Sequence, residues 1–130
     1  MLLDTSFLID LMNDDQGAVE TAVGLERDLV QQRISSMTLF ELYYGVARAV
    51  QSEDERRAVQ NVIESKPIIA ADTAVMRRAG RIAGELQNDG TPVADGDVII
   101  GATAAMLDEP VLTRNVDDFE RIGGVEVETY

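Results

Sequence analysis

The chain has 130 residues, 45% hydrophobic and 27% charged, and Asp plus Glu outnumber Lys plus Arg 24 to 11 for a formal charge of −13. That suits one domain with a real core and excludes a disordered chain, while no apolar run nears the roughly 20 residues of a membrane span. The acidic Met1-Leu2-Leu3-Asp4 start is unlike a signal peptide, so a cytoplasmic protein is expected, and the absence of Cys and His removes disulfides, thiol nucleophiles, imidazole acid–base pairs and thiolate or imidazole zinc sites.

The remaining chemistry runs on carboxylates, hydroxyls, amides and arginines, with hard oxygen ligands suited to Mg²⁺ or Mn²⁺. Lys66 is the sole lysine. An acidic, lysine-poor surface is one expected solution for a salt-rich cytoplasm, although a GC-rich genome alone also favours arginine.

In chain order, Met1 to Asp4 predicts a short strand, with Asp4 at its carboxyl end and Asp4-Thr5-Ser6 as a helix start. Phe7, Leu8, Leu11 and Met12 then recur at helical spacing until Asn13 to Gly17 breaks the pattern. A second helix is expected from Ala18 to Gln32, with Val19, Ala22, Val23, Leu29 and Val30 inward. Arg33 to Ser36 makes a minimal strand, and Ser36-Met37-Thr38 starts a helix from Leu39 to Val50 with Leu39, Leu42, Tyr43 and Val46 on one face.

Ser52-Glu53-Asp54-Glu55 has the form of a capping box opening a helix to Glu64. Pro67 to Ala71 reads as a buried strand, and Asp72 caps a helix from Thr73 to Gln87. That helix directs Val75, Met76, Ala79, Ile82, Ala83 and Leu86 inward and Arg77, Arg78, Arg81 and Glu85 outward. Its Gly80 and Gly84 suggest close helix packing, and Asn88 to Pro92 ends it. A small-residue helix from Asp95 to Leu107, a strand from Pro110 to Thr113, a helical turn from Val116 to Ile122 and a strand from Val125 to Thr129 complete the order. Strands alternating with helices predict an α/β fold with a parallel sheet covered on both faces.

Ligands in such sheets bind beyond the carboxyl ends of the strands. Asp4 and the Thr113-Arg114-Asn115 segment both follow strands, so neighbouring strands would open them onto one crevice. Asp4 alone reads equally as a helix cap. Glu41, inside Leu39-Phe40-Glu41-Leu42-Tyr43-Tyr44, is costly in apolar company unless paired or metal-bound. Of Asp95 and Asp97, one is expected to cap their helix and the other to face the cleft. Thr113 and Asn115 suit the cleft, whereas Asp117 reads as solvated.

Four runs, Leu2 to Ile9, Ser36 to Gly45, Asp97 to Ala104 and Leu112 to Ile122, resemble in order and spacing the four signature blocks of the PIN domain, above all its VapC toxin branch. The resemblance implies a single PIN-like domain over 1–130 with strand order 3-2-1-4-5. It implies a Mg²⁺-dependent endoribonuclease, with Mn²⁺ as the alternative ion, a cognate VapB-type antitoxin and a homodimer. The family's metal-binding acids fall on Asp4, Glu41 and Asp97, and its fourth acidic position falls on Asn115. That departure is shared by many VapC-like sequences, with Asp117 or Asp118 as substitutes. Thr5, Thr113 and Asp118 take supporting positions beside the ligands.

An RNA enzyme this acidic is unusual, because phosphate binding normally draws on basic surface. Arg77, Arg78, Arg81 and Arg114 would supply local contacts, or the acidic surface would serve a basic antitoxin segment. Two rival readings are a PIN-like binding module without catalysis and a phospho-acceptor signalling domain. Against the second, Asp14-Asp15 follows a helix and Lys66-Pro67 lies mid-chain.

Overall fold

A computed structural model describes Met1–Tyr130. Its elements are β1 (Leu2–Leu3), α1 (Thr5–Met12), α2 (Gln16–Arg27), β2 (Ile34–Ser35), α3 (Ser36–Arg48), α4 (Ser52–Ile63), β3 (Ile68–Ile69), α5 (Thr73–Asn88), α6 (Asp95–Leu107), β4 (Val111–Leu112), α7 (Val116–Arg121) and β5 (Val127–Glu128). All pairing is parallel: β1 with β4, β4 with β5, and β2 with β3. A single bridge from Leu2 to Arg33 joins the two ladders, giving the order 3-2-1-4-5 with the β2–β1 seam held by less than a ladder. The expected strands shorten to two residues each. No helix is long and apolar enough to cross a membrane.

Adjacent strand residues point to opposite faces, and the register Leu2↔Val111 and Leu3↔Leu112 sorts them into two cores. Leu2 and Val111 join Val75, Ala79, Leu86, Val98, Phe119 and Ile122 beneath α5, α6 and α7. Leu3 and Leu112 join Phe7, Leu8, Leu25, Leu42, Val46, Val59 and Val62 beneath α1 to α4. The buried side of α6 meets α7 so closely that a Cβ on Gly101 would stand 2.8 Å from Ile122 Cδ1. Only glycine fits there.

Several sequence expectations need correction. α2 stops at Arg27 rather than Gln32, because Leu29 takes a left-handed φ of 55° and two backbone bonds, Leu29 N to Glu26 O and Val30 N to Leu25 O, close the helix. Leu29 is consequently 90% exposed, Val19 and Val23 are exposed, and Ala18 and Leu25 supply the buried positions. α3 starts at Ser36, capped by Ser35, and ends at Arg48, and its Tyr43 is exposed. Ser52 does not cap α4; its hydroxyl donates to Val46 O at 2.9 Å and ties α4 to the end of α3. Asp72 caps α5 as expected. Gly80 and Gly84 are not packing points: both are exposed with nothing within 4 Å of a Cβ, because α5 packs through Val75, Ala79 and Leu86. Met76 likewise faces outward.

Candidate active site

Asp4 is the first residue beyond β1, and the β1–β4 ladder decides what meets it. Asp4 N donates to Leu112 O at 3.0 Å, carrying the pairing past the strands and setting Thr113 beside Asp4. Ser6 Oγ and Thr113 Oγ1 each donate to Asp4 Oδ2 at 2.7 Å. A hydroxyl has one proton, so both are committed to the carboxylate. Their oxygens in turn accept backbone amides, Arg114 N on Ser6 Oγ at 3.1 Å and Asn115 N on Thr113 Oγ1 at 2.9 Å. The 3.3 Å approach of the two hydroxyls follows from their shared acceptor. Asp4 is thus buried and oriented with no cation paired to it, and Oδ1 carries no hydrogen bond. It is not a side-chain cap of α1.

Glu41 approaches from the second turn of α3. Thr5 Oγ1 donates to Glu41 Oε1 at 2.7 Å and lies 3.0 Å from the buried Thr38 hydroxyl. The other carboxylate oxygen lies against the first turn of α6, where a Cβ on Gly96 would stand 2.9 Å from Oε2. Burial raises the Glu41 pKa, against the Thr5 hydrogen bond and with help from the Asp4 charge.

Asp97 sits in the first turn of α6, where neither it nor Asp95 caps the helix through its side chain. Burial pushes its pKa up to about 7, and the charges of Asp4, Glu41 and Asp118 push the same way. The three acids chosen from sequence therefore share one edge of the sheet and feel one another. Asp118 adjoins Asp97 electrostatically but pairs with Arg121 at 3.7 Å. Asn115 is exposed and its side chain makes no capping bond; its backbone amide donates to Thr113 Oγ1, the hydroxyl that bonds Asp4. Asp117 is exposed. Arg114 to Asp118 line an open depression of about 330 Å³ at this edge.

The sequence reading missed four residues here. Ser6 stands inside Asp4-Thr5-Ser6, and Thr38 lies beneath Thr5. Asp10 is buried, with Arg114 Nη1 at 2.7 Å and Tyr130 OH at 2.6 Å. An acid within the apolar run Phe7 to Met12 is the same signal that singled out Glu41. Tyr130 gave no signal.

The donor set fits a hard divalent cation. Asp4 Oδ1 and Asp97 carry no hydrogen bond, Glu41 keeps Oε2 free, and the like charges repel one another until a cation arrives. No three acids close into a ready-made cage, which suits Mg²⁺, an ion that takes one or two carboxylates and keeps several waters.

The family model described as the PIN domain matches residues 1–125. This chain belongs to the PIN-domain family. It is similar to the tRNA(fMet)-specific endonuclease VapC of Salmonella typhimurium, 35% identical over 75% of this chain and 74% of that protein. The protein of the same description from Shigella flexneri is 28% identical over 99% of this PIN domain and 96% of its own length. Among solved structures, DNA-bound VapBC from Salmonella typhimurium superposes with a TM-score of 0.88 at 30% identity, covering 98% of this chain and 96% of that one. The PIN domain described here is therefore of the VapC type.

Proposed function

We propose that this VapC-type PIN domain is a divalent-cation-dependent endoribonuclease, the toxin of a VapBC pair acting in the cytoplasm and held in check by a VapB-type antitoxin. The observation that carries the reading is the sheet edge shared by Asp4, Glu41 and Asp97, where Asp97 is raised to about 7 by burial and by acidic neighbours alone. Relatives named as tRNA-specific endonucleases and a VapBC assembly support it.

In this reading Asp4 and Asp97 would hold Mg²⁺ or Mn²⁺ directly, with Glu41 holding it through water or taking a second ion. The bound cation would supply Lewis-acid chemistry and a lowered water pKa, which a chain without histidine otherwise lacks. Ser6 and Thr113 fix the Asp4 carboxylate in one rotamer, so its free oxygen keeps its direction as substrate enters. Thr5 does the same for Glu41. Asp97, without a hydrogen bond of its own and with its pKa raised by burial and acidic neighbours, is the acid whose ionised form a bound cation would favour most.

A groove of about 350 Å³ lined by Thr5, Ile9, Met37, Phe40, Glu41, Tyr44 and Gly96 opens beside these acids, with Phe40 and Tyr44 exposed. An apolar rim over an acidic floor suits a basic amphipathic segment, the chemistry expected of the antitoxin. Net charge −13 repels RNA at range, but salt screens it within about 8 Å at physiological strength and about 3 Å at 1 M. A homodimer belongs to the same reading, checked by light scattering on the purified chain.

The test is RNA cleavage by purified protein across a Mg²⁺ and Mn²⁺ titration in low and high salt, with transfer RNA first among substrates and Asp4→Asn as control. Cleavage that survives chelation or the Asp4→Asn change sinks the reading. RNA binding without cleavage would favour the non-catalytic module, for which Asn115 in an acid's place is the specific argument.

A further inference from the structure

We propose that Arg114 is the residue that grips an RNA backbone phosphate beside the cleavage site, and that Asp10 and Tyr130 are the positioning residues that aim it. The proposal rests on the nuclease reading above for its substrate.

The Asp10–Arg114 pair is lopsided. The Asp10 carboxylate is buried, yet the Arg114 side chain is 61% exposed. Asp10 uses both oxygens: Oδ1 accepts Arg114 Nη1 at 2.7 Å and Oδ2 accepts Tyr130 OH at 2.6 Å. The Tyr130 ring is itself wedged edge-on against buried Phe7, with centroids 5.1 Å apart at 72°. The carboxylate is therefore immobile and the guanidinium is the outward end. A guanidinium has five N–H donors. Of these, only Nη1 is engaged by protein, which leaves Nη2 and Nε to meet a ligand.

The backbone places that outward end at the reaction. Arg114 N donates to Ser6 Oγ, the hydroxyl that bonds Asp4, and Arg114 lines the depression that also contains Asn115 and Asp118. Arg33 pairs with Glu109, Arg56 and Arg57 with Glu53, and Arg121 with Asp118, while Arg77, Arg78 and Arg81, on α5, carry no ion pair and do not line the depression, where Arg114 is the one basic residue. A strand of phosphates approaching three carboxylates needs a local cation, and a planar fork suits a phosphate better than a point charge does. An arginine whose only task was to neutralise Asp10 would not need to stand in solvent.

The test measures binding of a fluorescent single-stranded RNA across a salt series, together with steady-state cleavage. Arg114→Ala should weaken binding and raise KM about tenfold, the cost of one charge-assisted contact, with kcat little changed and the melting temperature lowered because buried Asp10 loses its counter-charge. It should also lower the slope of log affinity against log salt by about 0.7, the share of one phosphate on a single strand. Arg114→Lys should keep the slope and recover part of the affinity. Tyr130→Phe, which frees one Asp10 oxygen, should raise KM two- to threefold, on the order of 0.5 kcal/mol. If affinity, KM and slope all stay at wild-type values in Arg114→Ala, the cluster is a structural tie and the proposal falls. The same holds if the variant loses only a basic antitoxin peptide. Failure of the wild type to cleave RNA would instead strike the nuclease reading, while the salt slope of binding would still judge Arg114.

Discussion

Asp4 and Asp10 are two buried carboxylates, one just before the short helix α1 and one within it, and their partners differ in kind. Asp4 is held by neutral hydroxyls from Ser6 and Thr113, so it is oriented without a counter-charge beside it. Asp10 is held by the Arg114 guanidinium and the Tyr130 hydroxyl, so its charge is neutralised. Hydroxyl donors satisfy a carboxylate's lone pairs without supplying the opposite charge, and the field of Asp4 still reaches Glu41 and Asp97. Burial alone therefore does not separate the two acids; under the proposed reading Asp4 differs from Asp10 in being buried and hydrogen-bonded without a basic partner.

The largest effect should come from breaking the charged member of that contrast. Asp4→Asn or Asp97→Asn should cut RNA cleavage by at least about 10³-fold, since water activation and charge neutralisation have no substitute in a chain without histidine. Circular dichroism and melting curves should show both variants folded. Activity within tenfold of wild type in either, freed of contaminating nuclease, would remove that acid from the site.

Next in size is the neutralised member. Asp10→Ala strands the Tyr130 hydroxyl and frees Arg114, and should lower stability by about 1–2 kcal/mol by urea denaturation. The loss stays below that of a fully buried pair because Arg114 is already solvated. A loss above about 4 kcal/mol would mean Asp10 anchors the core rather than aiming a side chain.

A subtler perturbation reaches Glu41 without touching a carboxylate. Gly96→Ala places a Cβ 2.9 Å from Glu41 Oε2 and 3.4 Å from Met37 Cε. The flexible carboxylate should swing away from Thr5 rather than the helices part, so activity should fall about tenfold, roughly 1.4 kcal/mol, with melting temperature almost unchanged. An unaltered cleavage rate would show that Glu41 tolerates displacement and lies outside the essential set.

How far the sequence reveals this depends on whether a feature has a local cause. α5 ends at Asn88, and Gly90 just beyond it, with a φ of 73°, is the usual left-handed stop, a glycine visible in the sequence. α2 ends by the same geometry at Leu29, a residue that gives no such sign, and the apolar stripe read through it was false. The order of strands and helices is legible because its periodicities are local. The bridge between β1 and β2 is not, because it depends on packing between distant segments. Asp4, Glu41 and Asp97 stand out as acids at helix starts or in apolar company, whereas the Tyr130 contact spans 120 positions and has no local trace.

The smallest expected effect is thermodynamic, and it isolates like-charge repulsion from catalysis. Asp97 has a folded-state pKa of about 7, above the ordinary 3.8, through burial first and then Asp4, Glu41 and Asp118. Between those values the folded chain binds more protons than the unfolded one, so this group's contribution to stability is lost as pH rises from 4 toward 7. Asp97→Asn mimics the protonated acid at every pH. With chelator present it should match wild type near pH 4 and exceed it by about 1 kcal/mol at pH 8, a figure discounted for the solvent that reaches this half-buried group. A divalent cation should reverse the sign: by favouring the ionised acids, Mg²⁺ should raise the wild-type melting temperature more at pH 8 than at pH 5, and raise that of the variant less. Melting curves of both proteins at the two pH values, with chelator and with Mg²⁺, give the answer. An Asn variant less stable than wild type at pH 8 in chelator would show that Asp97 is engaged by a favourable partner rather than held among repelling acids.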